Sequence, residues 1–216
     1  MEFVMNVDSL KKMGMLEYNN IFHARDMIKG KLEILKTYAT QAEAAEDRGK
    51  EFEAEKVREV REVQDYVAKK NIKTQSTRSG ALVEIITPGD QAQKADSGKV
   101  AKIMYKGSLI STGKEFDSNT DPAKNPTKTP LTVNVGSTGT QNSVITGLDE
   151  ALRMFGKGGK GKIYIPAMLG YGDAGSPPVI PTYANLLFEI ELVDVTDAPP
   201  PAPVAPMPNV QPQQKK

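Results

Sequence analysis

The sequence segments 116-FD-117, 144-VITGL-148 and 169-LGYG-172, all inside the stretch from Lys99 to Asp194, decide the fold. The first is an aromatic residue followed by a carboxylate. The second is a turn with β-branched residues that leads into a helix, and the third is a tyrosine loop flanked by glycines. Each segment alone indicates only a turn, a cap or a loop. Together, and in this order, they predict a pocket for one apolar residue.

The order and spacing of these segments resemble those of the FK506-binding (FKBP) family of peptidyl-prolyl cis-trans isomerases, over roughly residues 81–195. The resemblance implies an α+β fold, in which an antiparallel twisted β-sheet is wrapped on one short α-helix. A long α-helix and a partial, repeat-like N-terminal segment would precede this domain. The implied activity is rotation about X-Pro bonds, and no cofactor or metal is implied.

The resemblance also implies roles for individual residues. Asp117 would lie beside the target carbonyl as an electrostatic and hydrogen-bonding element, Tyr171 would donate its hydroxyl to a substrate carbonyl, and Phe116 would complete the catalytic set. The Ile145 main-chain N–H would hold another carbonyl. The implied substrate-binding residues are Tyr105, Leu131, Val144, Ile145, Leu148, Ile180, at the rim, and Phe188.

Three positions differ from the usual family pattern. Leu148 stands where the family often has a Trp, and the chain has no Trp at all. Leu131 stands where an aromatic residue is common, and Ser176 stands where many members have His or a larger residue. Because smaller side chains offer less aromatic area for stacking on proline, we predict turnover below that of the most active relatives and weaker binding of macrolide inhibitors.

The composition excludes several kinds of chemistry. The 28 basic and 27 acidic side chains leave a net charge of +1, which does not favour nucleic acid or an anionic membrane as the main partner. The chain has no cysteine, and His23 is its single histidine, so thiolate chemistry and a multi-histidine metal centre are excluded. No segment reaches the ~18–20 apolar residues of a membrane-spanning helix, and no export signal is visible.

Residues 1–38 carry a weak internal similarity to the main domain. The segment 31–35 compares with 188–192, and the alternation of apolar and charged residues over 28–34 predicts a half-buried strand. One interpretation is a partial, truncated FKBP-like repeat. A second is a homodimer that forms through a helical surface, and a third is a small apolar core. The last two would use Met5, Met13, Met15 and Met27.

Residues 39–72 are predicted to form a long amphipathic linker helix. Its apolar face is predicted to carry Val57, Val60, Val63 and Val67, which are spaced by three or four residues. Gly49 costs a helix about 1 kcal/mol relative to Ala, so a break near residues 47–50 is predicted. The segment 73–80, which is rich in Thr, Ser and Gly, is predicted to be a linker.

Residues 81–196 are predicted to form the isomerase domain. Strands are predicted at residues 81–86, 100–110, 131–135, 163–166 and 186–195, and a short helix at 148–155. Gly107 would mark a bulge or bend in the second strand. Residues 197–216 are predicted to be a Pro-rich, unpacked tail.

The predicted function is acceleration of X-Pro rotation in proline-containing client polypeptides. By resemblance to bacterial relatives with an N-terminal extension, the expected location is the cell envelope or periplasm, with a lipid anchor in some members. One alternative is a non-catalytic chaperone or peptide-binding module that uses the same pocket. Another is an assembly protein whose working part is the long helix.

Overall fold

The computed structural model describes residues 2–15, 17–19, 21–34, 36–123, 125–137 and 141–198. All but the first two residues of the predicted 197–216 tail lie outside these ranges. The chain divides into two compact units, Met1–Lys50 and Glu51–Lys216. None of the helices in the described ranges is long and apolar enough to cross a membrane.

The described residues of the N-terminal unit form two strands, a short helix and the beginning of a long helix. The strands and the short helix are β1 (Glu2–Asn6), α1 (Val7–Lys12) and β2 (Met27–Lys31). The two strands pair antiparallel, and the Phe3 ring lies so close to Gly30 that an added Cβ would come within 2.3 Å of it. Val7 is fully buried. The strand predicted over residues 28–34 is therefore present, but it ends at Lys31.

The four methionines of this unit do not share one helix face. Met5 and Met27 lie in strands, Met13 caps the C-terminus of α1, and Met15 follows that cap. All four side chains are exposed. The prediction that they form a helical surface or a small core is therefore wrong. The truncated repeat and the homodimer stay predictions.

The long helix α2 runs without interruption from Gln41 to Lys69. The predicted break near residues 47–50 is wrong. Gly49 lacks a side chain, but no other atom lies within 4 Å of where its Cβ would be. The glycine therefore costs the helix no packing contact. The ion pair between Lys50 and Glu46, at 2.7 Å, supports the same turn of the helix.

One face of α2 packs against the sheet, but it is not the predicted all-valine face. Val63 and Val67 are buried, whereas Val57 is 69% exposed. The buried residue on the N-terminal side of Val63 is Glu59. Val63 and Val67 pack with Tyr164 of the sheet in a cluster that is separate from the main core, so part of the helix packs directly on the domain that follows it.

The remaining strands belong to the domain that follows α2. They are β3 (Gln75–Ser76), β4 (Leu82–Thr87), β5 (Asp90–Lys94), β6 (Lys99–Leu109), β7 (Glu115–Ser118), β8 (Leu131–Asn134), β9 (Gly156–Lys157), β10 (Lys160–Ile165) and β11 (Leu186–Asp197). The five predicted strands are all present, within a few residues of their predicted ends. The short strands β3, β5, β7 and β9 were not predicted, and β3 lies inside the predicted 73–80 linker.

The main sheet has seven strands in the order β3-β4-β10-β11-β6-β7, and β8 also pairs with β6. Its pairs are antiparallel. The register shifts between Gly107 and Ser108 where β6 meets β7, which confirms the predicted irregularity at Gly107. Strands β6, β7 and β11 thus bring residues distant in sequence to one end of the sheet.

The one α-helix among the described residues after α2, α3 (Thr146–Leu152), packs on the sheet. It begins two residues before its predicted start and ends at Leu152, because tight turns from Ala151 and Leu152 carry the chain into the core at Phe155. Gly147 allows close packing, since an added Cβ would come within 2.5 Å of Ile165. The predicted α+β arrangement of one helix against an antiparallel sheet is confirmed.

Candidate active site

A cavity of about 390 Å³ opens between the end of the sheet and the start of α3. It is lined by Tyr105, Phe116, Asp117, Leu131, Ser143, Val144, Ile145, Leu148, Tyr171 and Phe188. These include nine of the ten residues that the sequence singles out. The lining is mostly apolar, with one carboxylate and two phenols, which is typical of a site that orients a small apolar group.

Three aromatic rings form one side of the cavity. Phe188 is central, with the Phe116 ring edge-on at 5.7 Å between centroids and the Tyr105 ring tilted at 6.1 Å. Both distances are in the favourable range for ring pairs. The Phe116 ring fits because Gly107 has no side chain, since an added Cβ would come within 2.6 Å of that ring.

Asp117 is held by two hydrogen bonds. The Tyr105 hydroxyl donates to Asp117 Oδ2 at 2.6 Å, and the Ser118 main-chain N–H donates to Oδ1 at 2.8 Å. Burial, followed by the contact with Asp117, raises the pKa of the Tyr105 phenol well above its usual value. Tyr105 therefore remains a neutral donor, and the carboxylate is fixed in orientation.

Asn119 supports this site, although no motif in the sequence marks it. Its Oδ1 accepts the Tyr105 N–H at 2.6 Å, and its Nδ2 donates to the Ile103 carbonyl at 3.0 Å. A single side chain thus ties the segment after β7 to two positions of β6. Ser143 is a second missed residue, and the only signal for it was its place immediately before Val144.

The entry into α3 supplies the opposite side of the cavity. Ile145 precedes the helix, and its carbonyl accepts the N–H groups of Leu148 and Asp149, both at 3.0 Å. Among the described residues, none accepts a hydrogen bond from the Ile145 main-chain N–H. Leu148 is buried behind it. This turn therefore offers a main-chain donor beside an apolar surface.

Tyr171 follows a 3₁₀ helix, Ala167–Leu169, at the edge of the cavity. Its side chain is 38% exposed, and its hydroxyl has no hydrogen-bond partner in the described part of the chain. Burial, and then the negative charge of Asp117, raise the pKa of this phenol. Tyr171 is therefore a neutral hydroxyl that is free to donate to a ligand.

Ile180 is the one predicted site residue that does not line the cavity. It is 3% exposed and packs into the core, while its main chain exchanges two hydrogen bonds with Ser176, at 2.8 and 3.0 Å. These bonds close the loop between Ser176 and Ile180. A contribution of Ile180 to the rim stays a prediction.

Comparison with known proteins identifies the class to which this fold and site belong. The family described as "FKBP-type peptidyl-prolyl cis-trans isomerase" matches residues 91–193. An FK506-binding protein of Neisseria meningitidis serogroup B is 37% identical over 116 residues, which cover 54% of this chain and 96% of that protein. The chain is a member of the FKBP-type peptidyl-prolyl cis-trans isomerase family.

A longer relative extends the similarity beyond the isomerase domain. The FKBP-type peptidyl-prolyl cis-trans isomerase FkpA of Escherichia coli is 37% identical over 134 residues, 62% of this chain and 44% of FkpA. The crystal structure of FkpA matches with a TM-score of 0.53 and 29% identity, covering 73% of this chain and 71% of that one. The sequence match spans less than half the length of the FkpA protein.

Proposed function

We propose that this protein is a peptidyl-prolyl cis-trans isomerase that accelerates X-Pro bond rotation in client polypeptides. The observation that carries the proposal is one cavity that combines an aromatic wall with two donors, the Tyr171 hydroxyl and the Ile145 N–H, that have no partner among the described residues. Membership of the isomerase family supports it.

The reaction needs no nucleophile. Rotation about an X-Pro bond must overcome a barrier of about 18–20 kcal/mol that comes from amide conjugation. A protein lowers this barrier if it binds the twisted bond more tightly than either planar isomer. An apolar cavity supports this by removing water from the imide, because desolvation disfavours the polar, conjugated planar form.

The arrangement of the site supports a role for each group. The proline ring would lie against the Phe116 and Phe188 rings, and the Ile145 N–H would hold one carbonyl of the substrate. Tyr171 would donate to a second carbonyl. Asp117, fixed by Tyr105, would act on the rotating carbonyl through its charge and hydrogen bonding, without moving a proton.

The partners follow from the same site. We propose proline-containing segments of client proteins as substrates and macrolides as inhibitors, since relatives of this chain are named FK506-binding proteins. We propose a location in the cell envelope or periplasm, with a lipid anchor as one form, because the chain resembles bacterial relatives such as FkpA. A homodimer through residues 1–38 is part of the same proposal.

A protease-coupled assay on a proline peptide tests the activity. The full chain should accelerate isomerisation, and Tyr171→Phe should lower kcat/KM by about two- to tenfold, the value of one hydrogen bond. Asp117→Ala should lower it by about tenfold or more, because it also releases Tyr105. Tyr66→Phe, which removes a phenol outside the cavity, is the matched control. Wild-type rates for both cavity variants would contradict the assigned roles.

The second candidate function is a non-catalytic chaperone or peptide-binding module. It is favoured by Leu131 and Leu148, two aliphatic lining residues that offer less aromatic area to a proline. In this case the full chain would bind a proline peptide without changing its isomerisation rate. The same assay, combined with a peptide-binding titration, distinguishes the two functions.

A further inference from the structure

Glu59 is a buried carboxylate on the face of α2 that packs against the sheet. Its side chain is 1% exposed. Its Oε2 accepts the main-chain N–H of Met168 at 3.0 Å, whereas its Oε1 has no hydrogen-bond partner among the described atoms. Met168 is the middle residue of the 3₁₀ helix Ala167–Leu169, three residues before Tyr171.

A second side chain links the same two elements. Asn185 accepts the N–H of Ala167 through its Oδ1 at 3.0 Å. Its Nδ2 donates to the Glu59 carbonyl at 3.4 Å and to Glu62 Oε2 at 3.0 Å. Two successive N–H groups of the 3₁₀ helix are therefore satisfied by α2, directly through Glu59 and indirectly through Asn185.

The burial of Glu59 is costly, and packing alone does not explain it. Burial raises the pKa of this carboxyl, the charges of Glu55 and Glu62 act in the same direction, and the Met168 N–H and Arg58 oppose them. An apolar residue of similar volume would fill the same space without a desolvated charge. What Glu59 adds is one hydrogen-bond acceptor, aimed at the segment that carries Tyr171.

We propose that Glu59 is a positioning residue for the isomerase reaction. It holds the Ala167–Leu169 turn so that the Tyr171 hydroxyl faces the cavity before substrate arrives. The helix α2 is then part of the active-site scaffold and more than a linker. This inference rests on the proposed function, because it assigns Tyr171 a role in turnover.

Three substitutions at this position separate hydrogen bonding from packing. Glu59→Leu keeps an apolar side chain of similar size but removes the acceptor. Glu59→Gln keeps an acceptor oxygen for the Met168 N–H. Glu59→Asp keeps the carboxylate but shortens the side chain by one methylene, which moves the carboxylate away from the Met168 N–H. The Asn185 side chain donates to the main-chain carbonyl of Glu59, which is present whatever side chain stands at position 59, so all three variants retain this bond.

Exchange NMR on a proline peptide, with the full chain, measures kcat and KM separately. For Glu59→Leu and Glu59→Asp we expect kcat to fall by about three- to tenfold, the effect of misplacing one hydrogen-bond donor. KM should stay within about twofold, since the aromatic wall is untouched. Glu59→Gln should restore kcat. The Met168 amide should exchange with solvent faster in the Leu and Asp variants only.

The outcomes separate the two proposals. If the wild-type chain does not accelerate isomerisation, the proposed function fails. If it does, and a folded Glu59→Leu variant has wild-type kcat, Glu59 has no positioning role. If Glu59→Leu does not fold, Glu59→Asp decides by the same measurements, and wild-type kcat for that variant overturns the inference. Equal losses of kcat in the Gln and Leu variants would also overturn it.

Discussion

Gly107 lacks a side chain at the point where the Phe116 ring needs the space. A Cβ at this position would lie 2.6 Å from Phe116 Cζ and 3.2 Å from Phe188 Cε1. Sequence alone indicated an irregular strand here, and the register shift between Gly107 and Ser108 bears that out. The close approach of the two rings depends on β7 and β11 lying beside this residue, so only the folded chain reveals it.

We expect Gly107→Ala to lower the free energy of unfolding by about 1–3 kcal/mol, the usual cost of overpacking. The added methyl would push the Phe116 ring away from Phe188 and toward the cavity, so kcat/KM should also fall. Urea unfolding and the proline-peptide assay measure the two effects. Wild-type stability together with wild-type turnover would show that the ring is not confined by Gly107.

The spacing of apolar residues in α2 predicts the helix correctly but predicts only part of its buried face. The spacing of valines predicted the helix and placed Val63 and Val67 on its buried face, as observed. It also placed Val57 there, although this residue is exposed, and it gave no reason to bury Glu59. The partners of Glu59 are Met168 and Asn185, which lie more than 100 positions away in sequence.

The continuity of α2 through Gly49 leads to a second prediction. No atom lies within 4 Å of an added Cβ at this position, so Gly49→Ala introduces no clash. It should stabilise the helix locally by about 1 kcal/mol, the difference in helix propensity between the two residues. Amide hydrogen exchange over residues 45–53 should become slower. Unchanged or faster exchange would mean that the helix is not continuous here in solution.

Two phenols that donate to carboxylates, the half-buried Tyr105 and the buried Tyr164, make the folded protein sensitive to alkali. Burial raises the pKa of Tyr105 and of Tyr164, and a carboxylate accepts a hydrogen bond from each. An unfolded tyrosine releases its proton near pH 10.0, whereas the folded protein retains it. The native state then binds more protons than the unfolded state, so the free energy of unfolding falls as the pH rises above this value.

Tyr164→Phe tests this dependence without touching the cavity. The variant should lose stability less steeply above pH 10.0 than the wild type, by up to about 1.4 kcal/mol per pH unit for one retained proton. Urea unfolding at a series of pH values measures the slope. Tyr66→Phe is the matched control, since no partner for its hydroxyl lies among the described residues. Identical slopes for the two variants would contradict the assignment.

The amino-acid pattern predicts the strands, and the family resemblance that its motifs carry predicts the fold class and the residues of the cavity. Apolar-rich segments bounded by Pro and Gly identify β4, β6, β10 and β11, and the alternation of apolar and polar residues identifies β8. Three short motifs contain six of the ten residues that line the cavity, and the family resemblance that these motifs carry adds Tyr105, Leu131 and Phe188.

How these residues are held depends on contacts that form only in the folded chain. The strands β3, β5, β7 and β9 are two to five residues long and contain no run of apolar residues, and they form because neighbouring strands offer hydrogen-bond partners. Asn119 and Glu59 fix Tyr105 and the Ala167–Leu169 turn through bonds across 14 and 109 positions. The residues around a polar side chain in a helix or turn do not indicate its hydrogen-bond partner, because the packing of distant elements brings that partner close.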